Sequence, residues 1–316
     1  MDAALRVSDA RSGEASRAES IEVRTRDGWS LRADVLEPHV PPRGVAVLAH
    51  ALMARRAEFD RPAGAGLSRF LVDQGWSVVA FDFRGHGDSR PVSASAGGVR
   101  YDDFVAIDLP AVCDFARWQV PDRPVVVVGH SLGGHVALAA VGSGFVTADA
   151  VVGLGAAVWL PFLEPSVLRW LGKRLTLGAA AAVARRLGRF PARALRIGSD
   201  DETRACIDDF HRFATSGRWT SADGAVDYWA SLDRVRIPVL QVVSNGDRFE
   251  CTPESGRRFV ARCRARHDVL RVSTGDGASP PPNHMGLVTS GRARRAWEQI
   301  AAWLSAVVVA GGPRTA

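Results

Sequence analysis

The fold is decided by the stretch PVVVVGHSLGGHVAL, residues 124–138. Four consecutive valines between Pro124 and Gly129 predict a strand that is buried on both faces, as in a parallel sheet. After Gly134 the small and apolar residues predict a helix. Between the strand and the helix lies a Gly-x-Ser-x-Gly pattern centred on Ser131. A strand, a sharp turn and a helix in this order are the context in which such a serine is a nucleophile.

The spacing of these glycines has a steric reason. A sharp turn from strand to helix holds its serine in a strained backbone conformation, and larger residues two positions away would collide with the flanking elements. The helix that follows directs free N–H groups and the positive end of its dipole toward the serine. An oxyanion formed at Ser131 would therefore be stabilised.

Strands and helices alternate along the rest of the chain. Asp27-Gly28 predicts a hairpin between strands at 21–23 and 31–36. The other predicted elements are strands at 44–50, 76–83, 150–156, 237–243 and 268–272, and helices at 66–74, 102–118, 253–264 and 291–308. Pro110 predicts a kink inside the helix at 102–118. The alternation predicts an α/β fold with a doubly wound, mostly parallel sheet.

The alternation of strands and helices is interrupted once, and the interruption divides the chain into four segments. Residues 1–20 are polar and alanine-rich and are interpreted as a disordered tail. Residues 21–158 and 233–316 form the two parts of the α/β core. Residues 159–232 show helical stretches interrupted by prolines and no strand pattern, which predicts an inserted helical cap.

Composition limits the possible partners and location. The formal net charge of +6 comes from scattered arginines, with Lys173 the single lysine, so we expect no nucleic-acid partner. No apolar run is long enough to span a bilayer, and no signal-peptide pattern precedes residue 21, so we expect a cytoplasmic protein without stable membrane insertion. Four cysteines without a C-x-x-C pair are expected to be reduced thiols. The sequence does not specify an oligomeric state.

A nucleophilic serine needs an imidazole to accept its proton and a carboxylate to orient that imidazole. In an open α/β sheet both should follow the carboxyl ends of strands, in the order serine, acid, histidine. Asp247 follows the strand at 237–243, and His284 lies in the loop after the last strand. We therefore predict Ser131, Asp247 and His284 as catalytic residues.

Rival residues remain for both partners. Glu164 and Asp276 are alternative acids, the first near the end of the strand that precedes the inserted segment and the second in the loop of His284. His267 precedes the last strand, at the wrong end of the sheet, and is interpreted as a surface residue. The two other histidines considered, in the elbow helix and in the inserted segment, are interpreted as structural: His135 and His211.

The predicted oxyanion hole consists of two backbone donors near the serine. One is the N–H of Leu132, directly after Ser131. The other is expected in the loop after the strand at 44–50, where we predict the N–H of Leu52, with Ala51 and Met53 as alternatives.

Together these residues resemble the α/β-hydrolase superfamily of serine esterases, lipases and related enzymes. The resemblance covers residues 21–308 and rests on the elbow GHSLGG at 129–134, the loop RGHGDS at 84–89, Asp247 and His284. Members of that superfamily often have His-Gly after the third strand, where this chain has His50-Ala51, and the additional methyl group restricts the backbone that carries the second oxyanion donor.

The resemblance implies a serine hydrolase that cleaves a carboxylic ester or related acyl bond through an acyl-enzyme on Ser131. No cofactor and no metal are expected, because no metal-ligand spacing is visible in the sequence. Apolar residues of the inserted segment favour a small acyl substrate that is partly apolar. An acyltransferase or thioesterase with the same three residues stays open, as does a non-catalytic binding protein, because the fold alone does not select a reaction.

Overall fold

A computed structural model describes residues 18–89, 98–275 and 279–309. Most of the predicted tail and the alternative acid Asp276 lie outside these residues. The first strand begins at Glu19, two residues before the predicted start at Ile21. Gly28 adopts a left-handed conformation (φ +84°) in the turn that follows, as the predicted Asp27-Gly28 hairpin requires.

Eight strands of the described chain form one sheet, in the order β1-β2-β4-β3-β5-β6-β9-β10. The pairs β1–β2 and β2–β4 are antiparallel, and the remaining pairs are parallel. This confirms the predicted doubly wound, mostly parallel sheet. The strands are β1 (Glu19–Arg24), β2 (Ser30–Leu36), β3 (Val45–Ala49), β4 (Ser77–Phe81), β5 (Val125–His130), β6 (Ala150–Leu154), β7 (Arg189–Phe190), β8 (Glu202–Thr203), β9 (Val239–Ser244) and β10 (His267–Val272).

Helices cover both faces of the sheet. They are α1 (Leu67–Asp73), α2 (Tyr101–Asp103), α3 (Leu109–Gln119), α4 (Leu132–Gly142), α5 (Val167–Leu187), α6 (Arg204–Ser216), α7 (Tyr228–Ser231), α8 (Pro253–Val260), α9 (Gly286–Thr289) and α10 (Arg294–Val309). Val125 and Val127 pack into the core layer that contains α3, α4 and α8, while Val126 and Val128 pack into the layer with α1 and α10. The four valines are therefore all buried because β5 has a core layer on each side.

The chain is helical from Tyr101 to Gln119, as predicted for residues 102–118, but its winding is not uniform. A π-helical turn at Phe104–Asp108 separates α2 from α3. Pro110 lies in the first turn of α3, directly after the π-helical turn, and the two residues before it, Asp108 and Leu109, keep helical backbone angles. The predicted kink at Pro110 is thus a change of helical winding directly before it.

Several element ends differ from the prediction. β6 ends at Leu154 because Gly155 adopts a left-handed conformation (φ +60°) that breaks the strand. α8 ends at Val260, four residues early. The last helix begins at Arg294 rather than at residue 291, after a 3₁₀ turn at Gly291–Ala293.

Residues 159–232, here called the insertion, lie between β6 and β9 and contain α5, α6 and α7. The expectation that the insertion has no strands is wrong. β7 and β8 form a two-stranded antiparallel sheet, with Phe190 opposite Glu202. Two-residue strands are too short to show the alternation that identifies a strand from sequence. None of the helices in the described residues is both long and apolar enough to cross a bilayer.

Candidate active site

The predicted elbow is present at the junction of β5 and α4. β5 ends at His130, α4 begins at Leu132, and Ser131 between them has φ +49° and ψ −108°. This is an unfavourable conformation for a residue with a side chain, so the surrounding structure must hold it. The Ser131 N–H donates to the carbonyl of Leu154 at the end of β6 (2.9 Å).

The glycines of the elbow allow this close approach. A Cβ at Gly133 would lie 2.0 Å from the carbonyl oxygen of Ala49, and one at Gly129 would lie 2.3 Å from the Gly133 backbone. A Cβ at Gly134 would lie 2.5 Å from the Cβ of Ala156. Each distance is far below a normal contact, so the steric reason inferred from the sequence applies to all three positions.

His284 and Asp247 form a buried pair. The His284 Nδ1 and Asp247 Oδ2 atoms are 2.5 Å apart, and Asp247 is 1% exposed. The Asp247 carboxylate also accepts hydrogen bonds from the N–H groups of Glu250 (3.0 Å) and Cys251 (3.1 Å). These bonds fix the carboxylate, which in turn orients the imidazole.

The electrostatics of this pair favour its charged form. Burial disfavours ionisation of both groups, but their mutual hydrogen bond and charge outweigh it. The pKa of Asp247 is consequently lowered below its ordinary value. The pKa of His284 is raised above its ordinary value.

The end of β6 brings the pair to the elbow. Leu154 accepts the hydrogen bond from Ser131, and the next residue, Gly155, lies against the His284 ring. A Cβ at Gly155 would be 3.0 Å from the His284 Nδ1. The rings of His130 and His284 are also 5.0 Å apart between centroids. The structure thus places Ser131, Asp247 and His284 around one strand end.

A buried Glu58–His130 pair joins the loops of this site. The Glu58 Oε1 lies 3.1 Å from the His130 Nδ1 and accepts the N–H of Ala51 (2.9 Å). The His130 Nε2 faces the carbonyl oxygen of His284 at 3.2 Å. Burial raises the pKa of Glu58, but the interactions with His130 and the hydrogen bond from Ala51 outweigh it, so the net shift is downward. One hydrogen-bonded pair therefore connects the elbow, the loop after β3 and the His284 loop.

The backbone donors of the predicted oxyanion hole lie at the start of α4 and in the loop after β3, and these two segments contact each other. The Gly133 N–H donates to the carbonyl of His50 (3.1 Å), which ties the start of α4 to the loop after β3. The Ala51 N–H is used by Glu58, and the Met53 N–H faces a carboxylate oxygen of the insertion at 3.4 Å. Within the described chain, the N–H groups of Leu52 and Leu132 have no such acceptor.

The alternative acid Glu164 is engaged elsewhere. Its carboxylate binds the Lys173 Nζ (2.8 Å) and the Arg169 Nε (2.8 Å). It therefore serves an ion-pair cluster at the start of α5 and contacts no described histidine by a hydrogen bond.

The remaining histidines lie where the sequence analysis expected. His267 is exposed at the start of β10. His135 is buried in α4, where its Nδ1 lies 2.9 Å from the hydroxyl of Tyr101. Burial lowers the pKa of His135 to about 3, so its ring is neutral. His211 lies on α6 of the insertion.

The sequence analysis did not find one possible cation-binding group. Asp247, Glu250 and His284 each offer a ligand atom within 4.8 Å of the others. No spacing rule could indicate it, because His284 is distant in sequence. The Nδ1 atom of His284 is already hydrogen-bonded to Asp247, so the group coincides with the buried pair.

All four cysteines are described, buried and free of disulfides.

Comparison with known proteins places this geometry in a family. A family profile described as "Serine aminopeptidase, S33" matches residues 41–275. This chain belongs to that family. It is an α/β-hydrolase, as the elbow and the sheet predicted.

Proteins similar to this chain, in sequence or in structure, include lipases and esterases. The chain is 35% identical over 117 residues to a monoacylglycerol lipase from Mycolicibacterium smegmatis, a match that covers 35% of this chain and 37% of the relative. An esterase structure from Pyrococcus furiosus has a TM-score of 0.60 at 16% identity and covers 93% of this chain and 92% of its own. A monoacylglycerol lipase structure from Paleococcus ferrophilus has a TM-score of 0.55 at 18% identity, with 88% and 99% covered. At these low sequence identities, the similarity to the two solved structures shows that this chain shares their fold.

Two buried carboxylates of this S33 family member were missed by the sequence analysis. Glu58 and Glu202 each pair with a histidine and each face a backbone N–H of the loop after β3. Neither carboxylate belongs to a sequence motif, and the histidine that each contacts is distant in sequence. The one signal available was the presence of His86 and His130 within the two motifs of the resemblance.

Proposed function

We propose that the protein hydrolyses carboxylic esters, with Ser131 as nucleophile, His284 as general base and Asp247 as the group that orients His284. The observation that carries this proposal is the elbow serine, held at positive φ beside a buried histidine–aspartate pair. The lipase and esterase relatives support an ester rather than another acyl bond. The chain spans 37% of the length of the mycobacterial relative, so its activity rests on the site itself.

The reaction begins with transfer of the Ser131 hydroxyl proton to the His284 Nε2 while Oγ bonds to the ester carbonyl carbon. The carbonyl oxygen becomes an oxyanion, which the N–H groups of Leu132 and Leu52 stabilise. The C–O bond to the alcohol then breaks, and His284 returns its proton to the leaving alcohol. The product at this stage is an acyl-enzyme on Ser131.

Water completes the cycle. His284 removes a proton from water, and the resulting hydroxide attacks the acyl carbonyl. The second tetrahedral intermediate collapses, Ser131 recovers its proton from His284, and the carboxylic acid leaves. The charge of Asp247 stabilises the imidazolium in both halves of the reaction without itself taking a proton.

The insertion is proposed to act as a cap that binds the apolar part of the substrate. It begins with Trp159 and Leu160, of which Leu160 is fully buried, and Trp159 packs edge-on against Phe249 at 5.5 Å. Phe249 lies two residues after Asp247, so this aromatic contact joins the insertion to the acid loop. The partly apolar acyl or alcohol group of the substrate is proposed to bind beside this aromatic contact.

Hydrolysis of p-nitrophenyl esters of graded chain length tests the proposed function. We expect turnover of esters with a defined optimum chain length, and little turnover of aminoacyl p-nitroanilides. Added alcohol acceptors should not raise the release of p-nitrophenol, whereas an acyltransferase would be accelerated. Cleavage of the nitroanilides without ester turnover would contradict the proposal and indicate an aminopeptidase, as the family description states.

The pH dependence of kcat/KM follows from the shifted pKa of His284. Burial lowers this pKa, but the hydrogen bond and charge of Asp247 outweigh it and raise the pKa above 6.5. His284 must be neutral to accept the serine proton, so activity falls as the pH decreases through its folded-state pKa. We expect the midpoint of this acidic limb above pH 6.5. A midpoint at or below pH 6.5, measured with a substrate that does not titrate, would contradict the assigned pair.

A further inference from the structure

Met53 contacts the insertion through its backbone and its side chain. Its carbonyl accepts the N–H of Asp200 (3.0 Å), and its N–H faces the Glu202 Oε2 (3.4 Å). Its side chain packs against a hydrophobic cluster that belongs wholly to the insertion: Ala180, Ala181, Ala184, Phe190, Ala192 and Ile207. Met53 belongs to the core loop after β3 but is half-buried against residues of the insertion.

The conformation of Met53 indicates that these contacts hold it in place. Its φ of +58° is unfavourable for a residue with a side chain and persists only where the surroundings enforce it. Gly198 of the insertion leaves no spare room. A Cβ there would lie 2.6 Å from the Met53 carbonyl oxygen and 2.7 Å from the Met53 Cβ.

The segment of the insertion that holds Met53, residues 198–202, is itself attached to the core. Arg55 donates from Nη2 to the carbonyl of Ser199 (2.6 Å), and the Gly87 N–H donates to the Asp200 Oδ2 (2.5 Å). The Glu202 Oε2 lies 2.9 Å from the buried His86 Nε2. A displacement of residues 198–202 would therefore displace the loop after β3 with them.

Leu52 lies between two anchors of different origin. On its N-terminal side the Ala51 N–H is fixed to Glu58 of the core. On its C-terminal side Met53 is fixed to residues 198–202 of the insertion. The peptide plane that carries the Leu52 N–H also holds the Ala51 carbonyl, which accepts the Ala54 N–H (3.2 Å) and lies 2.8 Å from the His50 Nδ1. Core contacts therefore fix this plane directly, and the insertion acts on the next plane through Met53.

We propose that residues 198–202 are a positioning element for the reaction, which acts through Met53 to direct the Leu52 N–H at the oxyanion. This inference rests on the proposed function, because it needs Leu52 as an oxyanion donor. Oxyanion donors act at about 2.7–3.1 Å from the charge that develops, and loss of one lowers kcat by about 10²–10³-fold. A small displacement of Met53 should therefore affect the transition state more than substrate binding.

The test compares two glycine-to-alanine variants of the insertion. Gly198→Ala places a methyl group against Met53, and the backbone at Gly198 is not left-handed, so the variant adds this steric conflict without backbone strain of its own. Gly178→Ala in α5 is the matched control, because a Cβ there meets no atom within 4 Å and alanine favours a helix. We expect Gly198→Ala to lower kcat by about 10–100-fold, a part of the full loss of a donor. KM should change less than about threefold.

A transition-state analogue provides the second readout. An alkyl trifluoromethyl ketone forms a hemiketal oxyanion on the serine, so its inhibition constant should rise with Gly198→Ala by the same factor as kcat falls. A general loss of packing would lower the melting temperature, but the inhibition constant would not then rise by the factor by which kcat falls. Gly178→Ala should resemble the wild type in kcat, KM and inhibition.

The possible failures are distinguishable. Wild-type ester turnover with a kcat of Gly198→Ala within twofold of Gly178→Ala would overturn this inference alone. Absence of ester turnover in the wild type would overturn the proposed function and this inference with it. If Gly198→Ala does not fold by circular dichroism, Glu202→Gln replaces it, since it removes the charge of the carboxylate that faces the Met53 N–H and keeps the packing at Gly198. Glu202→Gln with wild-type kcat would likewise overturn the inference.

Discussion

Replacement of Ser131 by alanine is expected to lower kcat for ester hydrolysis by about 10⁶-fold, since the serine is the group that bonds to the substrate. The backbone of the elbow should persist, because the glycine contacts and the Ser131 N–H bond to Leu154 do not involve the hydroxyl. The melting temperature should therefore change by only a few degrees. The measurement is kcat with the best p-nitrophenyl ester, at enzyme concentrations high enough to detect about 10⁻⁶ of wild-type activity.

Ser143→Ala is the matched control for this variant. Ser143 lies at the other end of α4, and its buried hydroxyl has no hydrogen-bond partner among the described residues. Its removal should leave kcat and KM at wild-type values. Retention of more than about 1% of activity in Ser131→Ala would show that another group carries the reaction, because loss of a true nucleophile costs far more.

Asp247→Asn is expected to lower kcat by about 10⁴-fold while the loop keeps its structure. The amide oxygen of asparagine can still accept the N–H groups of Glu250 and Cys251, so the local backbone remains satisfied. The amide nitrogen, however, is a donor and would force the His284 Nδ1 to accept a hydrogen bond. The proton of the neutral ring then resides on Nε2, which can no longer accept the Ser131 proton.

Glu164→Gln separates the two acids that the sequence left open. Glu164 binds Lys173 and Arg169, so this variant should lose stability, because it leaves a buried ammonium with a weaker partner. Its kcat should stay within about threefold of wild type, since no change of the transition-state contacts is involved. A 10³-fold loss in Glu164→Gln together with an active Asp247→Asn would assign the orienting role to Glu164 instead.

The parts of the site that could be predicted from sequence are those set by local rules. The elbow follows from residues 124–138 alone, because strand, turn and helix are consecutive there. Asp247 and His284 could be proposed because both follow the carboxyl ends of parallel strands, which meet at one edge of the sheet.

The parts that sequence reasoning missed depend on contacts between distant residues. Glu58 and His130 are 72 positions apart, and His86 and Glu202 are 116 positions apart. A buried carboxylate in a short turn or a two-residue strand has no periodic pattern that would reveal its partner. The short strands β7 and β8 were missed for a related reason, since each needs the other to be recognised.

The most direct test of the account is the site of covalent reaction. The protein is treated with a fluorophosphonate, which reacts with activated serines, and the adduct is located by mass spectrometry of the intact chain and of its peptides. We predict one adduct per chain, on Ser131, and none in Ser131→Ala. An adduct on another residue, or equal labelling of wild type and Ser131→Ala, would contradict Ser131 as the nucleophile.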